Sequence, residues 1–162
     1  MEEIVNKLRI MKKTIATMES CTGGYIVNAI TNIPGASYVL RYSAVTYSNE
    51  FKIKMGVDEE IINKYSVYSQ EVADQMSLKI SEFADSNYGI GITGKLLRAD
   101  QNNEFGLDNE VFISIYDRDE NNYLKSKVKV VYESREENKE LVLQEVKKLL
   151  LKKLSRWLCE RI

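Results

Sequence analysis

The segment Thr14-Ile-Ala-Thr-Met-Glu-Ser-Cys-Thr-Gly-Gly24 joins a short β-prone run to a helical one. At the junction stand a hydroxyl, a thiol and two glycines, followed by the helix-like run Tyr25-Ile-Val-Asn-Ala-Ile30. Glycines let the backbone come close to a ligand, and a helix N-terminus offers unpaired N–H groups to an anion. The chemistry is that of an anion site or a nucleophile, and the junction alone does not choose between them. A second segment, Val45-Thr-Tyr-Ser-Asn-Glu-Phe-Lys52, places a lysine just after another strand-like run.

Each of these side chains has a chemical and a structural reading. Ser20 is either a nucleophile or a helix-capping serine beside a glycine turn. Cys21 lies at a helix start, where thiolates are favoured, but it also suits the space behind the turn. Lys52 is either a solvated surface cation or a base. To act as a base it must be uncharged, and its free pKa of roughly 10.4 has to be lowered by burial or a neighbouring cation.

The chain has no histidine. That removes Ser–His–Asp and Cys–His catalysis and the common zinc sites. Acid–base work near neutral pH then falls to Lys, Tyr, Asp or Glu, which raises the standing of a serine–lysine pair. Two further patterns carry no chemistry. Gly89-Ile-Gly-Ile-Thr-Gly94 fits G-x-G-x-x-G, and Gly89 to Lys95 fits G-x-x-x-x-G-K. Both need a strand-to-helix loop, whereas these glycines alternate with Ile90 and Ile92 inside a strand-like run. Leu96 also lacks the hydroxyl that would ligate magnesium.

At 162 residues the chain is expected to form one domain, spanning 1–162, with a sizeable core. Its 44% apolar and 29% charged residues mark it as globular. The net charge of −1 supplies no field to recruit nucleic acid, and no basic run is interleaved with aromatics. Its apolar runs are too short to span a membrane, and the start Met1-Glu-Glu-Ile4 lacks a signal h-region. With only Cys21 and Cys159 there is no disulfide framework, so a cytoplasmic location is expected.

The elements that must position these groups follow from hydrophobic period. A helix is predicted over 2–11 from the stripe Ile4, Val5, Leu8 and Met11. Further helices are predicted at 23–31, 49–55, 58–65, 70–84 and 135–158. Ser69 is the expected N-cap of the 70–84 helix, whose apolar face is Val72, Met76, Ile80 and Phe83. Ser134-Arg-Glu-Glu137 reads as a capping box. It opens a helix with stripe Leu143, Val146, Leu150, Leu154 and Trp157, and with Lys147, Lys148, Lys152 and Lys153 facing out. Strands are predicted at 13–18, 38–48, 87–93, 110–117 and 124–132, with Asp117–Asn122 as a hairpin loop. The alternation predicts an α/β fold, a mixed sheet with helices on both faces in a three-layer α/β/α sandwich.

The two chemical segments together resemble the CinA carboxy-terminal domain family, the nicotinamide-nucleotide amidases. That family reads A-E-S-C-T-G-G and, about thirty residues on, V-T-Y-S-N-E-x-K. The copies here are Met18–Gly24 and Val45–Lys52, and the likeness runs from about residue 3 to the last helix. The resemblance implies hydrolysis of nicotinamide mononucleotide, or a related nucleotide amide, by a Ser/Lys dyad of Ser20 and Lys52, without metal or cofactor. It implies backbone contacts to phosphate or oxyanion from Thr22, Gly23 and Gly24. Tyr47 would hydrogen-bond the dyad, Asn49 would cap the following helix, Thr93 would contact ligand or oxyanion, and Arg135 would pair with a phosphate. The partner implied is a small nucleotide substrate, with self-association left open. Related domains are often fused to a cofactor-processing domain. With few residues before its first strand, this chain is expected to carry none.

The chain also departs from the family. After T-G the family continues I-A-G-P-x-G-G and later K-P-V-G, whereas here Lys95–Asn109 has neither. Lys139 stands where the family has a second arginine, and Ser43 replaces a glycine. The dyad half is kept and the substrate-cradling half is rebuilt. The alternative reading is therefore a catalytically impaired relative that binds a nucleotide or phosphorylated ligand.

Overall fold

The computed structural model describes residues 1–97 and 106–159, with side chains described as far as Arg156. The elements run α1 (Glu2–Met11), β1 (Ile15–Glu19), α2 (Tyr25–Thr31), a 3-10 turn at Ala36–Tyr38, β2 (Leu40–Val45), α3 (Asn49–Lys54) and α4 (Glu59–Tyr65). They continue with α5 (Gln70–Ala84), β3 (Tyr88–Gly94), β4 (Glu110–Asp117), β5 (Asn122–Lys129) and α6 (Arg135–Cys159). The five strands form one mixed sheet in the order β2-β1-β3-β4-β5. β1 lies parallel to both β2 and β3, while β3/β4 and β4/β5 are antiparallel.

Side-chain alternation along the strands divides the core into two layers. Ile15 of β1, Ile90 and Ile92 of β3, and Val111, Ile113 and Ile115 of β4 pack with α1, α2 and α6. Ala16 and Met18, on the other face of β1, pack with α5 and with Ile62 of α4. The stripes of α1 (Ile4, Val5, Leu8, Met11) and α6 (Leu143, Val146, Leu150, Leu154) are buried. Ser69 caps α5 by accepting the Val72 N–H at 3.2 Å, and Ser134 accepts the Glu137 N–H at 3.3 Å.

The glycines of β3 serve packing. A Cβ on Gly89 would stand 2.0 Å from the Ser77 carbonyl oxygen, and one on Gly91 would stand 2.2 Å from that of Ala73. Their absence lets the backbone of α5 lie directly on the sheet, where Ser77 and Ser114 hydroxyls meet at 2.9 Å.

Several expectations shift. Phe83 leaves the buried face of α5, is 61% exposed, and packs edge-on against Tyr42 of the edge strand. Lys153 turns inward to pair with the buried carboxylate of Asp117 at 2.8 Å and with Glu120. β2 is shorter than 38–48 because a 3-10 turn takes its first residues and the chain leaves the sheet after Val45. α2 begins two residues late because Gly23 (φ 61°) and Gly24 (φ 95°) form a turn. β5 is shifted to Asn122–Lys129, since Asp117 closes a tight turn by accepting the N–H groups of Asp119 and Glu120. The side chain of Trp157 and the loop residues 98–105 lie outside the described residues.

Candidate active site

The three parallel strands all end on one edge of the sheet. From the end of β1 the chain crosses to β2 on one side, and it later returns to β3 on the other. Such a reversal opens a crevice beyond the strand ends. Ser20 is the first residue past β1, and its N–H donates to the Ile92 carbonyl at 3.0 Å. The hydroxyl is thereby fixed between the ends of β1 and β3.

Lys52 reaches the same point from α3. Ser48 caps that helix, its hydroxyl accepting the Phe51 N–H at 3.1 Å. Nζ of Lys52 lies 3.0 Å from Oγ of Ser20 and 2.7 Å from the Thr46 carbonyl oxygen. Ser20 is 7% exposed and Lys52 1%. A hydroxyl within hydrogen-bond reach of a buried amine is nucleophile-and-base geometry, and burial is the general means of readying a lysine as a base.

Glycine at 23 and 24 lets the turn adopt its left-handed backbone. The Gly23 N–H is spent on the Ser20 carbonyl at 3.0 Å. Among the described residues no hydrogen bond is made by the N–H groups of Thr22 and Gly24. The N–H groups at the start of α2 are engaged, contrary to the sequence reading. Its Ile26 and Val27 N–H groups both donate to the buried Glu19 carboxylate at 3.0 Å.

The remaining expected residues separate. Thr93 is fully buried and its hydroxyl donates to the Val67 carbonyl at 2.9 Å, so it braces the segment before α5. Tyr47 is 66% exposed, and it is the carbonyl of its neighbour Thr46 that accepts from Lys52 Nζ. Asn49 is the first residue of α3 and Ser48 is its cap. Arg135, at the exposed start of α6, lies close enough to Cys21 to favour its thiolate, as does Lys52. Burial outweighs both and pushes the Cys21 thiol up to about 12, which holds it in the weakly nucleophilic protonated form. It packs in the core under the turn.

Lys139, one turn of α6 beyond Arg135, was not among the expected site residues. Its Nζ stands 3.7 Å from where a Cβ on Gly23 would be. Its place where the family has a second arginine, at i+4 from Arg135 on the helix, was the available signal. On the rebuilt side, Lys95 is buried, with Nζ 3.2 Å from Asp108 and 5.0 Å from the centre of the Tyr68 ring.

A sequence profile of the CinA C-terminal domain matches residues 1–154. The chain belongs to the CinA C-terminal domain family. Within the family, a relative in Alkaliphilus oremlandii, named among the competence-damage inducible proteins, is 47% identical over 96 residues. A CinA-like protein of Endomicrobium trichonymphae is 45% identical over 84 residues. These stretches cover 58% and 51% of this chain but only 23% and 20% of the relatives, so the chain spans under a quarter of the curated proteins it matches.

The solved CinA superfamily protein of Klebsiella pneumoniae superposes with a TM-score of 0.87 at 20% identity, covering 96% of each chain. The competence/damage inducible protein of Agrobacterium tumefaciens does so with a TM-score of 0.77 at 27% identity, over 95% of this chain and 94% of that one. The mixed-sheet α/β fold is therefore that of the CinA superfamily. Among the described residues no group of three or more Cys, Asp or Glu could hold a metal ion. None of the described helices is long and apolar enough to cross a membrane.

Proposed function

We propose that this chain is a serine amidohydrolase of nucleotide amides, converting the carboxamide of nicotinamide mononucleotide or a close relative to the acid and ammonia. The observation that carries the reading is the 3.0 Å approach of Ser20 Oγ to the buried Lys52 Nζ. The substrate class is supported by the likeness of Met18–Gly24 and Val45–Lys52 to the family motifs.

In the first step Ser20 Oγ attacks the amide carbon as its proton passes to the uncharged Lys52 amine. The Thr22 and Gly24 N–H groups face the developing oxyanion. Collapse of the adduct breaks the C–N bond, and Lys52 returns the proton to the departing nitrogen, releasing ammonia and leaving an acyl-serine ester. Water then attacks the ester, losing its proton to Lys52, and the acid leaves as Ser20 is reprotonated. Arg135 and Lys139 hold the phosphate at the rim, where a planar guanidinium suits two phosphate oxygens.

The test is ammonia release from nicotinamide mononucleotide by the purified protein, by Ser20→Ala and by Lys52→Ala. The wild type turns over and each variant loses orders of magnitude in kcat. An active Ser20→Ala protein would remove Ser20 from the chemistry.

The rebuilt loop motivates a second reading. Where the family has isoleucine after T-G, this chain buries Lys95 against Asp108 and Tyr68. A relative that binds nucleotides without turnover would show a raised Tm with pyridine nucleotides and no ammonia.

A further inference from the structure

Glu19 is fully buried, and its carboxylate is turned entirely inward. One oxygen accepts the Thr22 hydroxyl at 2.7 Å and the Ile26 N–H at 3.0 Å. The other accepts the Val27 N–H at 3.0 Å and, at 3.4 Å, the Thr17 hydroxyl. Ile26 and Val27 are the second and third residues of α2, whose first-turn N–H groups need an acceptor. The usual cap would come from residue 24 itself. That residue is glycine at φ 95°, where a capping side chain would be strained. The carboxylate reaches the same N–H groups from the strand side.

The main chain of Glu19 ties in the other half of the dyad. Its carbonyl accepts the Thr46 N–H at 2.8 Å, and the Thr46 carbonyl in turn accepts from Lys52 Nζ at 2.7 Å. The residue after Glu19 is Ser20. One residue therefore joins the end of β1 to the turn that carries the hydroxyl, to α2, and to the segment that holds the amine.

We infer that Glu19 is the positioning residue of the dyad: its buried carboxylate holds the 20–24 turn against α2 so that the Ser20 hydroxyl stays within reach of Lys52. This rests on the dyad reading above, and it touches no reacting atom itself. Removing the carboxylate frees two helix N–H groups and the Thr22 hydroxyl at once, so the turn relaxes. A displacement of about 1 Å in a reacting group costs on the order of 100-fold in rate.

The experiment reads Ser20 directly, without assuming a natural substrate. A fluorophosphonate phosphorylates an activated serine: the phosphorus–oxygen bond forms, fluoride leaves and the hydroxyl proton passes to the base. The rate is followed by intact mass on wild type, Glu19→Ala, Glu19→Gln and Thr22→Val, each held well below its own Tm, with Ser20→Ala as the unlabelled control. The expected result is labelling of the wild type at Ser20 and a loss of roughly 10- to 100-fold in Glu19→Ala. Glu19→Gln recovers part of that loss, because its amide oxygen still accepts. Thr22→Val, which removes one hydrogen bond and leaves the helix capped, is slowed by a smaller factor.

A purely structural role would lower Tm while leaving the labelling rate of the folded protein unchanged, and that outcome overturns the inference. If Glu19→Ala does not fold, an unslowed Thr22→Val decides against it in the same way. A wild type that takes no label overturns both the dyad reading and this inference. A labelled wild type with insensitive variants overturns this inference alone.

Discussion

Asn138 holds both main-chain groups of Tyr132. Its Oδ1 accepts the Tyr132 N–H at 3.0 Å, and its Nδ2 donates to the Tyr132 carbonyl at 2.7 Å. The side chain is fully buried and ties the segment between β5 and α6 to the first turn of that helix. The exposed Arg135 lies between these two anchored residues.

Asn138→Asp is the sharpest test of that anchor. The substitution is isosteric, but it places a carboxylate oxygen against the Tyr132 carbonyl. Stability is expected to fall by about 1–3 kcal/mol, the range for a buried polar group left unsatisfied. Denaturant unfolding measures it, and an unchanged midpoint would show that the anchor carries no stability.

Arg135 and Lys139 are expected to act on binding and not on chemistry. Arg135→Ala and Lys139→Ala should each raise KM for the nucleotide by about tenfold while kcat changes little, because hydrogen bonds to charged groups contribute about 1.5–3 kcal/mol. The matching nucleoside, which lacks the phosphate, should be indifferent to both changes. Equal losses on nucleotide and nucleoside would place the phosphate elsewhere.

Cys21 makes stability depend on alkaline pH. The unfolded thiol ionises near its ordinary value of 9.0, whereas burial keeps the folded thiol protonated up to about 12. Between those values the unfolded chain binds fewer protons, so stability is full below pH 9 and is lost as pH rises toward 12. The slope there is about 1.4 kcal/mol per pH unit from this one group. Tyr88 is displaced upward for the same reason and adds to the effect. Chemical denaturation at stepped pH, compared with Cys21→Ala, should show a shallower alkaline decline in the variant. In the native state Cys21 should also resist iodoacetamide.

Gly91→Ala tests the contact between α5 and β3. Its methyl group would meet the Ala73 carbonyl at 2.2 Å, and that carbonyl belongs to helix backbone that cannot swing aside. Overpacking of a core of this kind costs about 1–3 kcal/mol or more. Thermal unfolding is the measurement, and a Tm equal to that of the wild type would show that helix and sheet can separate freely.

Sequence reading reached the elements whose residues speak to near neighbours. The stripes of α1 and α6 are periodic, and each records which side of its own helix is buried. Ser69 and Ser134 cap helices three residues away. Phe83 defeated the same logic, because its place on the α5 stripe points past the edge of the sheet to Tyr42. Lys153 did so from the polar side, because its partner Asp117 comes from the β4–β5 turn.

By itself the sequence determined the order and kind of elements, the family, and the two short segments in which a hydroxyl and an amine follow strands. These are local facts, set by a hydrophobic period and by residue type at a turn. Only the tertiary structure decided what each polar group faces. Strand order carries Lys52 to Ser20 across 32 positions, sends the Glu19 carboxylate inward to α2, spends the Thr93 hydroxyl on Val67, and brings Lys139 over Gly23. A buried polar side chain must find a partner, and which partner lies within 3 Å depends on how distant segments pack.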